Sequence, residues 1–234
     1  MEERLPALRI DLPADDKPLV PAALFDPLPS RLYLEIGFGG GEHLAWQAGP
    51  QPDPGPDPGP DPGPDPGPDQ GPDLGIIGAE YFVTGVASLL DQLPEGPETA
   101  RLRLYVGDAR DLMACLPDAL FDKIFILFPD PWPKRRHHKR RLIQPATVAT
   151  LVRLLKDGGE LRFATDDPSY LPWALEHLTA EPALTWQVAG PADWRQRPAD
   201  WPATRYERKA LKAGRSPAFL RFRRIDRAAV TEPA

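Results

Sequence analysis

The sequence has little cysteine and no long apolar run, and both shortages narrow the class of protein. The single cysteine, Cys115, excludes an internal disulfide and a cysteine-based zinc cluster. No stretch approaches the roughly 20 apolar residues that a membrane-spanning helix needs. The N-terminal segment lacks the apolar core of a signal peptide, so export is not expected. We therefore expect a cytoplasmic protein that does not associate with a membrane.

A net positive charge is also lacking. The 234 residues carry 34 Asp and Glu against 28 Lys and Arg, which gives a formal charge of -6. The cations are nevertheless concentrated, because residues 134–141 (KRRHHKRR) contribute +6 and residues 201–227 contribute +7. Such runs are commonly solvated faces. Two separate clusters in an acidic chain also favour a surface that binds a polyanion, which needs local rather than net charge.

A proline-rich repeat interrupts the chain at residues 52–75, as PDPG four times, then PDQG and PDLG. Proline removes amide donors and fixes φ, and the repeat has no apolar side chain before Leu74. It therefore predicts a disordered insertion at 52–73 within a tolerant surface loop. We expect residues 1–30 to be a partly disordered extension, 31–227 to be one domain, and 228–234 to be a tail.

Outside the repeat, strand-like and helix-like stretches alternate along the chain. The pattern predicts strands at 31–37, 75–80, 101–107, 121–128, 159–165, 184–190 and 218–224. It predicts helices at 41–48, 82–93, 109–115, 145–156 and 169–179. This alternation indicates an α/β domain with a mainly parallel, doubly wound sheet of about seven strands. The last two strands lack a long helix between them, which indicates an antiparallel edge.

A glycine-rich loop, Glu35-Ile36-Gly37-Phe38-Gly39-Gly40-Gly41-Glu42, follows the first predicted strand. Glycines allow the backbone to turn tightly and to approach a ligand. A dinucleotide fingerprint would place a glycine where Glu42 stands, and that carboxylate would repel a pyrophosphate. The motif fits better a nucleoside with a cationic amino-acid tail, such as S-adenosyl-L-methionine.

Acidic residues follow the next two predicted strands. Glu80 lies 39 residues beyond Gly41, but removing five tetrads leaves 19, close to the separation at which a ribose-binding carboxylate ends strand two. Asp108 is placed to accept a hydrogen bond from an adenine amino group, and equally to cap the following helix; the two roles are compatible. With the glycine loop, these acids predict one nucleoside-binding cleft at the strand ends.

The chain resembles the bacterial tRNA (guanine-N7-)-methyltransferases in the segments LYLEIGFGGGEHL, IIGAEYFVTGVASLL, GDA, FPDPWPKRRHHKRRLIQP, LRFATD and TRYERKALKAG. The resemblance covers residues 30–225 apart from the repeat, and the Phe-Pro-Asp-Pro-Trp block is its most specific part. It implies a class I methyltransferase fold whose last strand is antiparallel, with S-adenosyl-L-methionine as cofactor and no metal. It also implies tRNA as partner and methylation at N7 of a variable-loop guanine, position 46 of tRNA. A monomer and a homodimer are both compatible with it.

The same resemblance implies roles for individual residues. Asp130 would be the catalytic residue. The cofactor-binding residues would be Glu35, Gly37, Gly39, Glu80, Asp108 and Asp130. The substrate-binding residues would be Lys134, Asp166, Thr204, Arg205, Tyr206 and Glu207. The RNA-contacting residues would be Arg136, His137, His138, Lys139, Arg140 and Arg141.

The chemistry of guanine N7 explains why carboxylates belong in such a site. N7 carries an in-plane lone pair and no proton, so its methylation needs no base to create the nucleophile. A carboxylate can stabilise the positive charge that develops on the base and can orient the base. Asp130, between two prolines, and Asp166, after the fifth predicted strand, are the candidates, and the sequence does not divide the two roles. Asp130 is also a natural turn residue.

Other readings of single residues and of the whole chain stay open. Trp132 is either a packing residue or a stacking platform for an extruded base. His137 and His138 favour RNA contact or exposure over metal binding, because thiolate or carboxylate partners are not adjacent, and Cys115 fits a helical core position. A methyltransferase acting on protein or a small molecule would leave the cationic clusters unexplained. An RNA-binding module with a vestigial cofactor site would not need the acids at the strand ends.

Overall fold

The computed structural model describes residues 4–14, 17–49, 73–94 and 96–230, and the predicted repeat insertion at 52–73 lies outside the described residues except for Asp73. Within these described residues, seven strands form a single sheet. The strands are β1 (Arg31–Ile36), β2 (Leu74–Glu80), β3 (Leu102–Val106), β4 (Phe121–Leu127), β5 (Leu155–Thr165), β6 (Leu184–Trp186) and β7 (Ala218–Arg224). The helices are α1 (Leu5–Leu8), α2 (Pro21–Leu24), α3 (Glu42–Ala48), α4 (Val83–Gln92), α5 (Ala109–Cys115), α6 (Pro145–Leu154), α7 (Tyr170–Thr179), α8 (Ala192–Arg195), α9 (Arg205–Lys212) and α10 (Arg227–Val230), with 3₁₀ turns at Pro97–Arg101 and Arg135–Arg140.

The strand order β3-β2-β1-β4-β5-β7-β6 confirms the predicted doubly wound sheet. Strands β1 to β5 pair in parallel, and β7 is antiparallel to both of its neighbours. The predicted antiparallel strand is therefore present, but β7 lies inside the sheet and the short β6 forms the edge. The order reverses between β1 and β4, and in such sheets ligands bind beyond the strand ends at that point.

Two element boundaries differ from the predictions for local reasons. The helix predicted to reach residue 156 ends at Leu154, and β5 begins directly at Leu155. Asp157 accepts hydrogen bonds from Arg224 and Arg227, which fixes this stretch against the last strand. The strand predicted at 184–190 stops at Trp186, because the Asp193 carboxylate accepts hydrogen bonds from the amides of residues 189 and 190 and turns the chain into α8.

Two apolar layers, one on each face of the sheet, form the core. One layer contains side chains of α5, α6 and α7, and the other contains side chains of α3 and α4. The predicted N-terminal extension contributes to both, since Leu8, Ile10, Leu19 and Phe25 are buried and the Ile10 amide donates to Leu104 O at 2.7 Å. Each such burial contributes about 1.5–3 kcal/mol. The domain therefore includes described residues before position 31, and the predicted tail begins as α10. None of the described helices has the length and hydropathy to cross a bilayer.

Candidate active site

A cavity of about 780 Å³ opens where the strand order reverses, at the C-terminal ends of β1 to β4. Its volume lies within the roughly 300–1,000 Å³ of small-molecule sites. Its lining includes five of the predicted cofactor residues, Gly37, Gly39, Glu80, Asp108 and Asp130. The structure thus brings together at one place residues that are up to 93 positions apart in the sequence.

The loop between β1 and α3 depends on glycine for two physical reasons. Gly39 has φ +56°, in the left-handed region that side chains disfavour. A Cβ atom added to Gly85 of α4 would lie 2.3 Å from the Gly39 carbonyl oxygen, so helix and loop touch backbone to backbone. The glycine-rich sequence is therefore required by the packing of this loop as well as by any ligand.

Glu80, at the end of β2, fixes the glycine loop from the other side. Its side chain is 6% exposed, and its two carboxylate oxygens accept hydrogen bonds from the amides of Gly39 (2.7 Å) and Phe82 (2.9 Å). Backbone donors that converge on one buried carboxylate make charge-assisted bonds, which are stronger than neutral ones. Glu80 consequently joins the loop after β1 to the start of α4.

Asp108, after β3, caps the N-terminus of α5, which confirms one of its two predicted roles. Its Oδ1 accepts from the Arg110 amide at 3.0 Å, and its two oxygens also accept from the Arg110 guanidinium. Those side-chain hydrogen bonds hold the pKa of the Asp108 carboxyl below its usual value. The carboxylate lines the cavity as an ionised group, and the predicted contact with adenine stays a prediction.

Glu35 differs from the other predicted cofactor residues, because it lies beneath the loop rather than among the lining residues. It is 2% exposed, and its Oε2 is 2.7 Å from Nδ1 of His43, which is buried as well. The Gln47 amide nitrogen lies 2.7 Å from the same ring nitrogen. Sequence reasoning missed His43 and Gln47, although their spacing of four residues along α3 places them on one helical face.

The Phe-Pro-Asp-Pro-Trp segment follows β4 in an unusual conformation. Phe128 and Trp132, which flank Pro-Asp-Pro, have φ of +52° and +43°. Asp130, between them, is exposed and lines the cavity. Among the residues that the structure describes, no side chain or amide is bound to its carboxylate. Non-glycine residues in such conformations are strained and cluster at functional sites, which favours a functional role over a plain turn.

The basic segment, residues 134–141, begins directly beyond Trp132, which also lines the cavity. The Arg140 guanidinium lies 4.9 Å above the Trp132 ring, and His137 meets that ring edge-on at 5.9 Å. The predicted RNA-contacting cations Arg136, Lys139 and Arg140 are exposed, as is the predicted substrate residue Lys134. His137 and His138 are half-buried.

Arg141 contradicts its predicted role in RNA contact. It is 2% exposed, and its guanidinium donates to Pro131 O at 2.8 Å and to Ser169 Oγ at 2.7 Å. The side chain points inward because the 3₁₀ turn ends at Arg140 and the next residue faces α7. The basic segment was predicted to contact RNA as a whole from Arg136 to Arg141, but its last residue is buried.

The predicted substrate residues after β5 and around α9 divide into two groups. Arg205 and Tyr206 line the cavity, and the Tyr206 ring lies so close to Gly39 that a Cβ there would be 2.9 Å from its Cε2. Thr204 caps α9, and Glu207, whose pKa is raised by burial, pairs with Arg197 at 3.2 Å. The second group therefore supports the helix that carries the first.

Asp166, at the end of β5, lies outside the lining residues of the cavity. Its Oδ2 accepts a hydrogen bond from Arg215 Nε at 2.6 Å. Arg215, 49 residues away, belongs to the second cationic cluster and was not singled out by sequence reasoning. No group of three or more metal-ligating side chains occurs among the described ranges.

The comparisons with known proteins define the class first. A family model described as "Putative methyltransferase" matches residues 68–220. In fold, the chain is similar to the O-methyltransferase TomG from Streptomyces achromogenes in complex with SAM, with a TM-score of 0.51, 17% identity, and coverage of 83% of this chain and 73% of that one. It is also similar to cofactor-bound Rv0187 from MTB, with a TM-score of 0.52, 16% identity and coverage of 93% and 83%. The fold is that of the class I methyltransferases.

Two relatives narrow the class to one family. The tRNA (guanine-N(7)-)-methyltransferase of Rhodospirillum rubrum is 47% identical over 231 residues, which are 98% of this chain and 82% of that protein. The protein of the same name from Paramagnetospirillum magneticum is 43% identical over 224 residues, 96% of this chain and 85% of that protein. The chain belongs to the tRNA (guanine-N7-)-methyltransferase family, which confirms the resemblance.

Proposed function

We propose that the protein transfers the methyl group of S-adenosyl-L-methionine to N7 of a guanine in the tRNA variable loop, at position 46. One observation carries the proposal: a single cavity combines the glycine loop and the acids Glu80 and Asp108 with the exposed carboxylate of Asp130, beside the basic segment. The names of the relatives support the same reaction.

The residues around the cavity fit this cofactor. Glu80 and Asp108 offer carboxylate oxygens to the ribose hydroxyls and the adenine amino group, and the loop at Gly37 and Gly39 offers backbone groups to the amino-acid end. Tyr81 and Phe82 also line the cavity, and their side chains are 67% and 62% exposed. Large exposed aromatic side chains beside a cavity provide an apolar surface that a bound adenine would cover. When bound, the cofactor supplies a methyl group carried on a positively charged sulfonium.

Asp130 supplies the group that the substrate base needs. N7 of guanine attacks with its own lone pair, so no side chain has to remove a proton before the transfer. The Asp130 carboxylate can accept hydrogen bonds from guanine N1–H and the amino group, and its charge stabilises the positive charge that develops on the base. The adjoining prolines restrict the backbone and keep this carboxylate in place.

Two cationic surfaces lie next to the cavity and fit the phosphates of tRNA. One is the basic segment, which continues from Asp130 and Trp132. The other is the outer face of α9, whose first residues, Arg205 and Tyr206, also line the cavity. The exposed cations of the two surfaces are Lys134, Arg135, Arg136, Lys139, Arg140, Arg205, Arg208, Lys209 and Lys212. A substrate that spans both must be an extended polyanion, which favours RNA over a small molecule.

Radiolabelled S-adenosyl-L-methionine and unmodified tRNA test the proposed function directly. Aniline scission at 7-methylguanosine locates the label, and a tRNA with adenine at position 46 serves as the control. We expect label and scission at position 46 of the guanine-containing tRNA alone. Absence of transfer would overturn the proposal, and scission at another guanine would overturn the assigned position.

The Arg136→Ala/Lys139→Ala double variant is expected to bind tRNA more weakly and with a shallower dependence on salt. Each lost phosphate contact reduces the slope of log K against log [salt] by about 0.7–0.9, so two contacts reduce it by roughly 1.5. Filter binding at salt concentrations from about 50 to 200 mM, a range over which phosphate contacts change the affinity strongly, measures the slope. Arg9→Ala, near the β3 edge of the sheet, is the matched control and should change nothing. An unaltered slope in the double variant would exclude these residues from the RNA surface.

The Gly85→Ala variant is expected to weaken cofactor binding although it changes no polar side chain of the site. The added methyl group would overlap the Gly39 carbonyl oxygen, so the glycine loop or α4 must move. Overpacking of this kind costs about 1–3 kcal/mol, and we expect at least a tenfold rise in the Kd for S-adenosyl-L-methionine, measured by titration calorimetry. Gly190→Ala, where a Cβ meets nothing within 4 Å, is the control. Equal Kd values for both variants would contradict the packing argument.

A further inference from the structure

We propose that Arg141 is a positioning residue that fixes the Asp130 segment against the turn after β5. The inference rests on the proposed function, in which Asp130 is the catalytic residue. The Arg141 side chain does not line the cavity and, unlike the exposed cations of the basic segment, is buried, so its charge serves the interior of the molecule. This positioning role replaces the RNA-contacting role that was predicted for Arg141.

The three side-chain hydrogen bonds of Arg141 join two separate parts of the chain. Nε donates to the carbonyl oxygen of Pro131 at 2.8 Å, one residue after Asp130. Nη1 and Nη2 donate to the carbonyl oxygen (3.1 Å) and the hydroxyl (2.7 Å) of Ser169. The planar guanidinium therefore spans from the Pro-Asp-Pro segment to the turn that precedes α7, which a single ammonium group cannot do.

Burial of the Arg141 guanidinium costs free energy, which indicates a role beyond stability. All three acceptors are neutral groups, and the guanidinium also packs on the rings of Tyr170 and Trp173, at 4.9 and 5.3 Å. A buried cation is expensive unless its donors are satisfied, and burial lowers the pKa of Arg141 although the nearby Asp167 carboxylate acts in the opposite direction. Stability alone would be served as well by an apolar side chain of similar volume.

The strained backbone explains what the Arg141 bond achieves. Phe128 and Trp132 adopt positive φ, and such conformations persist only where the surroundings impose them. The Phe128 amide donates to Ala164 O of β5 at 2.8 Å, which fixes the start of the segment. The bond from Arg141 to Pro131 fixes its end. Asp130 lies between these two attachments, so its place in the cavity depends on both.

On its far side the guanidinium bonds Ser169, in the turn that follows the other candidate carboxylate, Asp166. Ser169 is held by Asp167, whose Oδ1 accepts from the Ser169 amide (2.8 Å) and hydroxyl (2.7 Å). Asp167 directly follows Asp166. Arg141 consequently ties the segment that carries Asp130 to the turn that carries Asp166 and Asp167.

The Arg141→Lys variant tests the inference, because it keeps the positive charge and loses the planar guanidinium that bonds Pro131 and Ser169 together. We expect kcat to fall at least tenfold, while the KM for tRNA and the salt dependence of tRNA binding stay within twofold of the wild type. Amide hydrogen exchange over residues 128–143 should become faster in the free protein. Arg224→Lys is the matched control: Arg224 is also buried and donates to Val152 O and Ile225 O, but at the opposite end of the sheet. It should lower the melting temperature comparably and leave kcat within twofold.

The outcomes separate this inference from the proposed function. An unchanged kcat, or a fall in tRNA affinity with kcat intact, would overturn the positioning role of Arg141. Exchange needs no substrate, so unaltered exchange over residues 128–143 overturns the inference even in a protein without methyl transfer. Absence of transfer by the wild type overturns the proposed function alone. If Arg141→Lys does not fold, Ser169→Ala removes one acceptor and should show the same pattern with a smaller fall in kcat.

Discussion

The Asp130→Asn variant is expected to lose at least a hundredfold in kcat while it binds tRNA as tightly as the wild type. The amide is isosteric, so the strained segment and the cavity keep their shape. It carries no negative charge, and removal of one preorganised electrostatic group costs about 10²–10³ in rate. Single-turnover methyl transfer at saturating tRNA measures the chemical step, and filter binding measures the affinity for tRNA.

Two further variants make the Asp130 result specific. Asp91→Asn, on the exposed face of α4, is the control and should keep the wild-type rate. Asp166→Asn tests the second carboxylate, which is bound to Arg215 in the free protein and is expected to affect the KM for tRNA more than kcat. A wild-type rate in Asp130→Asn would remove this carboxylate from the mechanism.

The sheet was predictable because its signals are local. Glycines after β1, aspartate at the start of α5 and apolar runs in β1 to β4 place these elements within two residues of their observed bounds. The extension of β5 back to Leu155 was not predictable in the same way. It depends on Arg224 and Arg227, which reach Asp157 from about 70 positions away. The position of β7 between β5 and β6 depends on pairing that no single segment specifies.

The candidate site likewise has a part that local sequence signals predict and a part that depends on contacts between distant segments. The glycine loop, Glu80, Asp108 and Asp130 end consecutive parallel strands, and the geometry of such a sheet brings strand ends together. The orientation of one residue within a cationic run has no comparable signal, which is why Arg141 was predicted to contact RNA although its side chain is buried. The partners of Glu35 and Asp166, namely His43 and Arg215, are set by packing between elements. Each pairing becomes visible only when those elements are assembled.

The Glu80→Gln variant is expected to raise the Kd for S-adenosyl-L-methionine about ten- to a hundredfold. Both carboxylate oxygens accept backbone hydrogen bonds, and in glutamine the NH₂ group would face the amide of Gly39 or Phe82, a donor against a donor. Hydrogen bonds to a charged group are worth about 1.5–3 kcal/mol, and each 1.4 kcal/mol is roughly tenfold in Kd. The glycine loop would lose its attachment to β2 and become less ordered before the cofactor binds.

Calorimetric titration measures this Kd, and the affinity for tRNA in the absence of cofactor should change much less, because the Glu80 carboxylate is buried and belongs to neither cationic surface. Glu176→Gln, exposed on α7, is the matched control. Glu80→Asp adds a second comparison, since it restores the charge but is one methylene too short to reach both amides, and it should fall between glutamine and the wild type. A wild-type Kd in Glu80→Gln would mean that the loop holds its shape without the carboxylate and that Glu80 does not contact the ribose. A weakened Kd in Gly85→Ala alongside it would then assign the order of the loop to its packing on α4.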